Sequence, residues 1–250
     1  LVTRNVPAPR ANWRVIVQGS SVGSQGRKKD TTYVQSELAP SFVPVARAFA
    51  LTAREVDVVW PTRREVGASY LGDMSGGYLF GSRENFARLN PLLRTWTPSP
   101  LGLETRARAT PHAKTYVLYD GASTPPVDIH FLVMGSHNPS MAAWGRDVAS
   151  TGKLEILSYE LSVAFFPALW PGGVRRRFNV VTGTWEEWRV GSGSGEGRAF
   201  RIRPWTSSSS SSSSSLAGAS ASDVVWAPLP YRIPPRPYDS SQDVPWFQGA

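Results

Sequence analysis

Two short runs constrain this chain most: Pro111-His112-Ala113-Lys114-Thr115-Tyr116-Val117-Leu118-Tyr119 and His130-Phe131-Leu132-Val133-Met134. Both are dense in aromatic and β-branched residues, the composition of strands. Strand side chains alternate with a period of two, so His112 and Lys114 are expected on one face of the first strand. The second strand delivers Gly135-Ser136-His137-Asn138 at its end. An imidazole, an ammonium and an amide gathered in this way can grip a phosphoryl group. The lysine supplies charge, the asparagine a neutral donor, and the imidazole moves protons.

The rest of the pattern surrounds these runs with more strands and a few helices. Trp13 to Gln18 reads as a strand leading into the small-residue loop Gly19-Ser20-Ser21-Val22-Gly23-Ser24, where a backbone can approach a ligand closely. Ser36 to Ala50 reads as partly helical, interrupted by Pro40 and Pro44. Glu55 to Trp60 is a strand stopped by Pro61. Ser82 is an N-cap for a helix expected to run to about Trp96, with Phe86, Leu89, Leu93 and Trp96 as its apolar stripe. Pro139 to Trp144 opens a helix at its first turn, and Glu155 to Phe166 is another strand. Strands alternating with helices give an α/β class.

Composition narrows the chemistry. Ten Trp, ten Phe and eight Tyr in 250 residues argue for a folded globular protein. A net charge of +8, with arginine outnumbering lysine, favours a polyanionic partner, since guanidinium groups bind phosphate bidentately. With no cysteine, disulfides, thiolate zinc sites and a cysteine nucleophile are excluded. Only His112, His130 and His137 supply imidazole, so a metal site is not expected. No apolar run approaches the ~18–20 residues of a membrane span. With no signal peptide visible and Leu1 in first place, the expectation is a soluble, intracellular, processed or partial product.

Three segments are expected along the chain: a catalytic unit over 1–190, a disordered Gly/Ser-rich insertion over 191–223, and a Pro- and aromatic-rich tail over 224–250 that packs back on the domain. The serine run Ser207 to Ser215 buries too little apolar surface to offset the entropy of ordering.

Several motifs in order along the chain resemble the C-terminal half of the tyrosyl-DNA phosphodiesterase family, within the phospholipase D superfamily. They are Pro111-His112-Ala113-Lys114-Thr115-Tyr116, Gly135-Ser136-His137-Asn138-Pro139-Ser140, Ala142-Ala143-Trp144-Gly145 and Ser158-Tyr159-Glu160-Leu161. Upstream, Ser20 to Ser24 fits the family's serine loop; downstream, Leu229-Pro230-Tyr231 and Asp243-Val244-Pro245-Trp246 fit as well. The resemblance implies a phospholipase D-like α/β/α sandwich around a mixed sheet, no cofactor, and two similar halves that each give one His-Lys-Asn set. The histidine of the first half attacks the phosphate. Here His112 is implied as general acid and then general base, Lys114 and Asn138 as holders of the non-bridging oxygens, and Glu160 as the carboxylate orienting His112. Histidine titrates near neutrality and suits both proton steps. Ser21, Ser24, Ser136 and Ser140 are implied as contacts to DNA phosphates, which position a strand without reading its sequence.

The implied activity is DNA repair, with hydrolysis of the 3′-phosphotyrosyl bond between a topoisomerase I-derived peptide and DNA. Other blocked 3′ ends share the phosphate, including a nucleoside removed as by an exonuclease. The nucleus is the expected location. The sequence holds no second His-x-Lys, so the nucleophilic half is expected from elsewhere, an N-terminal half of the same enzyme. Met141 and Tyr78 depart from the family's usual lysine and serine. The alternative is a catalytically silent nucleic-acid-binding remnant. A lipid-directed relative predicts Asp where Asn138 stands, and a zinc-dependent nuclease is disfavoured by three histidines and no cysteine. His137 and His130 are read as loop and structural residues, and Trp144 as core.

Overall fold

The strong strand runs become the centre of one mixed sheet. The computed structural model describes residues 12–23, 31–38, 41, 55–96, 108–121, 127–148, 150–169, 174–179, 184–189, 201–204, 224–227 and 229–248. Strands β1 (Trp13–Gln18), β2 (Val56–Val59), β3 (Leu93–Arg94), β4 (Lys114–Asp120) and β5 (Ile129–Gly135) carry the core of the sheet. β1 runs parallel to β2, and β2 to β3, whereas β4 is antiparallel to both β1 and β5. Beyond β5 lie β8 (Ser162–Phe165) and the parallel pair β11 (Arg201–Pro204) and β12 (Val224–Ala227). Two hairpins stand apart, β6 (Arg146–Val148) with β7 (Lys153–Glu155), and β9 (Val174–Asn179) with β10 (Thr184–Arg189).

Alternation splits the sheet residues into two cores, as expected for a sheet buried on both faces. Val15, Val17, Tyr116, Leu118, Phe131 and Val133 face one side. There they meet α1 (Arg63–Gly67), α2 (Arg83–Leu89) and the aromatic pair Trp60 and Trp246. Ile16, Val117, Tyr119 and Leu132 face the other side, covered among the described residues by Trp96, Val127, Ala227, Leu229 and Tyr231. The tail thus packs back on the domain. Trp246 donates its backbone N–H to Pro61, and Trp60 donates its indole N–H to Trp246.

Several boundaries move for physical reasons. The helix capped by Ser82 ends at Leu89 and does not reach Trp96. Pro91 removes a helical N–H, Asn90–Leu92 form a single 3-10 turn, and Leu93–Arg94 pair with Val58 and Val59. The strand expected over Glu155 to Phe166 is two short strands separated by residues 156–161, where Leu157 and Ser158 both donate to the Ala142 carbonyl. Of the partly helical Ser36 to Ala50, a short π-helix covers Val34–Leu38; most of the remainder lies outside the described residues. The segment 191–223 contains a strand, β11, whose Ile202 is buried opposite Ile129; the rest of that segment, including the serine run, lies outside the described residues.

Candidate active site

Register brings the predicted residues to one end of the sheet. Lys114 at the start of β4 pairs with Gly135 at the end of β5, and Thr115 pairs with Gln18 at the end of β1. The lead-in to β4 and the loops after β1 and β5 therefore meet. His112 sits in that lead-in, two residues ahead of the strand that was expected to hold it. Its side chain is exposed, while Lys114 is 5% exposed and points into the domain edge. The two are joined another way: Lys114 Nζ donates to the His112 carbonyl at 2.6 Å.

Asn138 is fixed by the loop after β1. Its Oδ1 accepts from the backbone N–H of Ser20 at 3.0 Å and of Ser21 at 2.9 Å. Two N–H donors require an oxygen between them, so the Nδ2 group is left as a donor directed elsewhere. This clamp needs backbones in near contact. A Cβ on Gly19 would lie 2.4 Å from Pro139 Cδ, and one on Gly23 would lie 2.9 Å from Ser140 Cβ. The small residues of that loop thus serve protein–protein contact within the fold, a closer approach than any side chain allows.

The remaining candidates divide. Ser136 is engaged: its Oγ accepts from Leu161 N at 2.9 Å, and its own N–H donates to the Leu161 carbonyl. Ser136 is nevertheless exposed, and its hydroxyl keeps a second lone pair. Ser140 stands at the N-cap of α3 (Met141–Trp144), and its hydroxyl makes no cap bond. Ser21 bridges to Phe80 through its backbone. Ser24 lies outside the described residues.

Glu160 acts as counter-charge to Lys114 and His137. Glu160 itself lies in the stretch 156–161, between β7 and β8. Burial lowers the Lys114 proton affinity, and Glu160 offsets part of that. His112 is held below its ordinary value, first by lost solvent and then by the Lys114 charge. His137 is lowered by burial against the raising influence of Glu160.

Three neighbours escaped the sequence reading. Tyr78 meets His112 edge-on at 5.1 Å. Ser162 Oγ lies 2.6 Å from His137 Nδ1, and Trp144 packs on that ring at 4.6 Å. Trp144 also donates to the Tyr116 hydroxyl, which in turn donates to the His137 carbonyl. The loop reading of His137 thus understated a ring held from two sides. Tyr78 left a trace in the sequence as a departure from the family's usual serine, and Trp144 as a motif residue read as core; Ser162 left none. Among the described residues no group of three acidic or imidazole side chains is arranged to hold a metal, and no helix is long and apolar enough to cross a membrane.

Comparisons with known proteins give the family and the fold. Tyrosyl-DNA phosphodiesterase 1 of Arabidopsis thaliana is 28% identical over 213 residues, covering 76% of this chain and 29% of the plant protein. The yeast tyrosyl-DNA phosphodiesterase structure superposes with a TM-score of 0.58 at 18% identity, covering 95% of this chain and 50% of that one. A mutant of the yeast enzyme gives 0.59 at 17% identity, over 96% of this chain and 50% of that one. The chain therefore spans half or less of the relatives it matches, and its fold is that of the phospholipase D-like yeast structures. The tyrosyl-DNA phosphodiesterase family model matches residues 2–239, nearly the whole length, and the chain belongs to that family of phosphodiesterase hydrolases.

Proposed function

We propose that this chain is the proton-transferring half of a DNA 3′-end phosphodiesterase and works on a phosphotyrosyl bond left by topoisomerase I. The carrying observation is the meeting of His112, Lys114 and Asn138 at one sheet end, with the Asn138 amide oriented by two backbone N–H groups. A histidine of the complementary half forms the P–N bond as the P–O bond to tyrosine breaks, and His112 gives its proton to the leaving oxygen. Water then attacks phosphorus, His112 takes the water proton, and the P–N bond breaks. Lys114 and Asn138 Nδ2 stabilise the charge that builds on the non-bridging oxygens. Among the proposed DNA contacts, Ser21 and Ser140 lie on the adjacent loops after β1 and β5. A DNA substrate makes the nucleus the proposed location.

An inverted amphipathic segment supports a covering partner. Leu157, Tyr159, Leu161, Val163 and Phe165 alternate along the chain and are all exposed, whereas Glu160 and Ser162 between them turn toward the site. Apolar surface arranged this way marks an interface, and the relatives' extra length supplies the occupant, an N-terminal half.

The test is cleavage of a 3′-phosphotyrosyl oligonucleotide in EDTA, with this chain alone and with an N-terminal half added. Turnover only on mixing, lost in His112→Ala, is the expected result. Turnover by the chain alone overturns the split-site reading. The single His-x-Lys of the sequence favours a second reading, a silent DNA-binding remnant, which salt-sensitive binding without turnover in either mixture supports.

A further inference from the structure

Tyr78 ends a 3-10 helix, Gly72–Tyr78, whose base cannot shift easily. A Cβ on Gly76 would lie 2.1 Å from the Trp246 ring, and Trp246 donates its indole N–H to the Gly76 carbonyl at 3.2 Å. Ser75 and Leu79 on either side are buried. The far end of the phenol is tied as well. Its hydroxyl donates to the Thr110 carbonyl at 3.3 Å and pairs with the Thr110 hydroxyl, which also reaches the Ser75 carbonyl at 3.4 Å. The ring is thus held at both ends, half-buried, and Thr110 lies two residues ahead of His112.

Against this fixed ring lies the His112 imidazole, centroids 5.1 Å apart and planes at 90°. Among the described residues the imidazole makes no hydrogen bond, and the one charged group acting on it is Lys114, held by its own bond to the His112 carbonyl. A histidine without a hydrogen-bonded orienter can rotate about χ2 and exchange its two nitrogens. A perpendicular aromatic contact opposes that rotation, because edge-to-face packing is lost when the ring turns.

We propose that Tyr78 is a positioning residue for His112: anchored on Thr110, its ring holds the imidazole in one orientation and so selects the nitrogen that exchanges protons with the substrate. The role rests on His112 being the proton carrier, and its test reads the imidazole itself. In nitrogen-edited NMR of the full chain, the histidines are assigned through His130→Gln and His137→Gln. The expected result is one dominant His112 tautomer, titrating below free histidine. Tyr78→Ser mixes the tautomers and moves the His112 midpoint upward, while Tyr78→Phe, which keeps the ring but loses the Thr110 anchor, falls between Tyr78→Ser and the parent. The His130 and His137 signals stay put. Should Tyr78→Ser fail to fold, Tyr78→Leu, which keeps the bulk without the ring, answers the same question. An unchanged His112 tautomer ratio in the variant lacking the ring overturns the proposal, and so does a change spread equally over all three histidines. Either result leaves the phosphodiesterase reading standing, because no turnover is measured.

Discussion

Asn138 illustrates how one side chain serves fold and chemistry through different atoms. Its Oδ1 satisfies two loop N–H groups, and in the proposed function its Nδ2 is offered to a phosphate oxygen. The two roles separate by substitution. Asn138→Ala leaves the Ser20 and Ser21 donors without that acceptor, and urea denaturation should register a loss of about 1–3 kcal/mol. Asn138→Asp keeps an acceptor for both and replaces the donor with charge. Its stability should stay near the parent's, while affinity for a 3′-phosphorylated oligonucleotide falls roughly tenfold, the equivalent of ~1.4 kcal/mol. Equal behaviour of the two variants in both measurements contradicts this division. His112 and His137 carry a second consequence, in pH. Both are lowered below 6.5 in the folded chain, so between the folded and unfolded values the unfolded chain binds more protons. Stability should rise with pH through that window and fall as pH drops below 6.5 toward the folded values. The double variant His112→Gln/His137→Gln should flatten that dependence in thermal melts across the same range. The acid limb of the His112-dependent activity should likewise lie below 6.5.

At the scale of elements, one buried carboxylate fastens four strands. Asp57 on β2 takes Arg14 of β1 at 2.6 Å, Arg94 of β3 at 2.6 Å and the Tyr119 hydroxyl of β4 at 3.0 Å. Removing one partner of a buried ion pair leaves the other charges uncompensated. Asp57→Ala should therefore cost about 3–5 kcal/mol in denaturant unfolding, and a cost under about 1 kcal/mol contradicts the clamp. The long strands β1, β4 and β5 were legible because alternation and β-branching agree over six or seven residues. β3 was not: two residues of a helix-like stripe give no period, and what draws Leu93–Arg94 into the sheet is Pro91 together with Asp57, a contact distant in sequence. The candidate residues were legible as a set, and the β4–β5 register puts their backbones at one end of the sheet. Their wiring was not legible. That Lys114 reaches the His112 carbonyl and that Glu160 faces Lys114 depend on where β4 begins and where the chain leaves the sheet before β8. A Tyr at position 78 has no local signature of contact with position 112.

Over the whole molecule, the same period-two signal carries a different meaning at Leu157 to Phe165. The sequence suggested one strand over Glu155 to Phe166, yet Tyr159 is fully exposed and Leu161 is 81% exposed. These apolar side chains stay exposed, and the chain spans half the length of the yeast relative it matches. Between the exposed apolar residues, Ser162 pairs with His137 on the opposite side. If the outward face meets a complementary half, charge placed there should spare the isolated chain and prevent association. Tyr159→Glu and Leu161→Glu are exposed substitutions and should each alter unfolding free energy by less than about 0.5 kcal/mol. In the interface each buries an unpaired carboxylate, so sedimentation of a mixture with the N-terminal half should show the complex lost, and turnover on mixing lost with it. Met74→Glu, at a position 76% exposed away from the strip, is the control that should leave both intact. Association undiminished by both strip variants would mean that the apolar face is covered by something other than the half that completes the site.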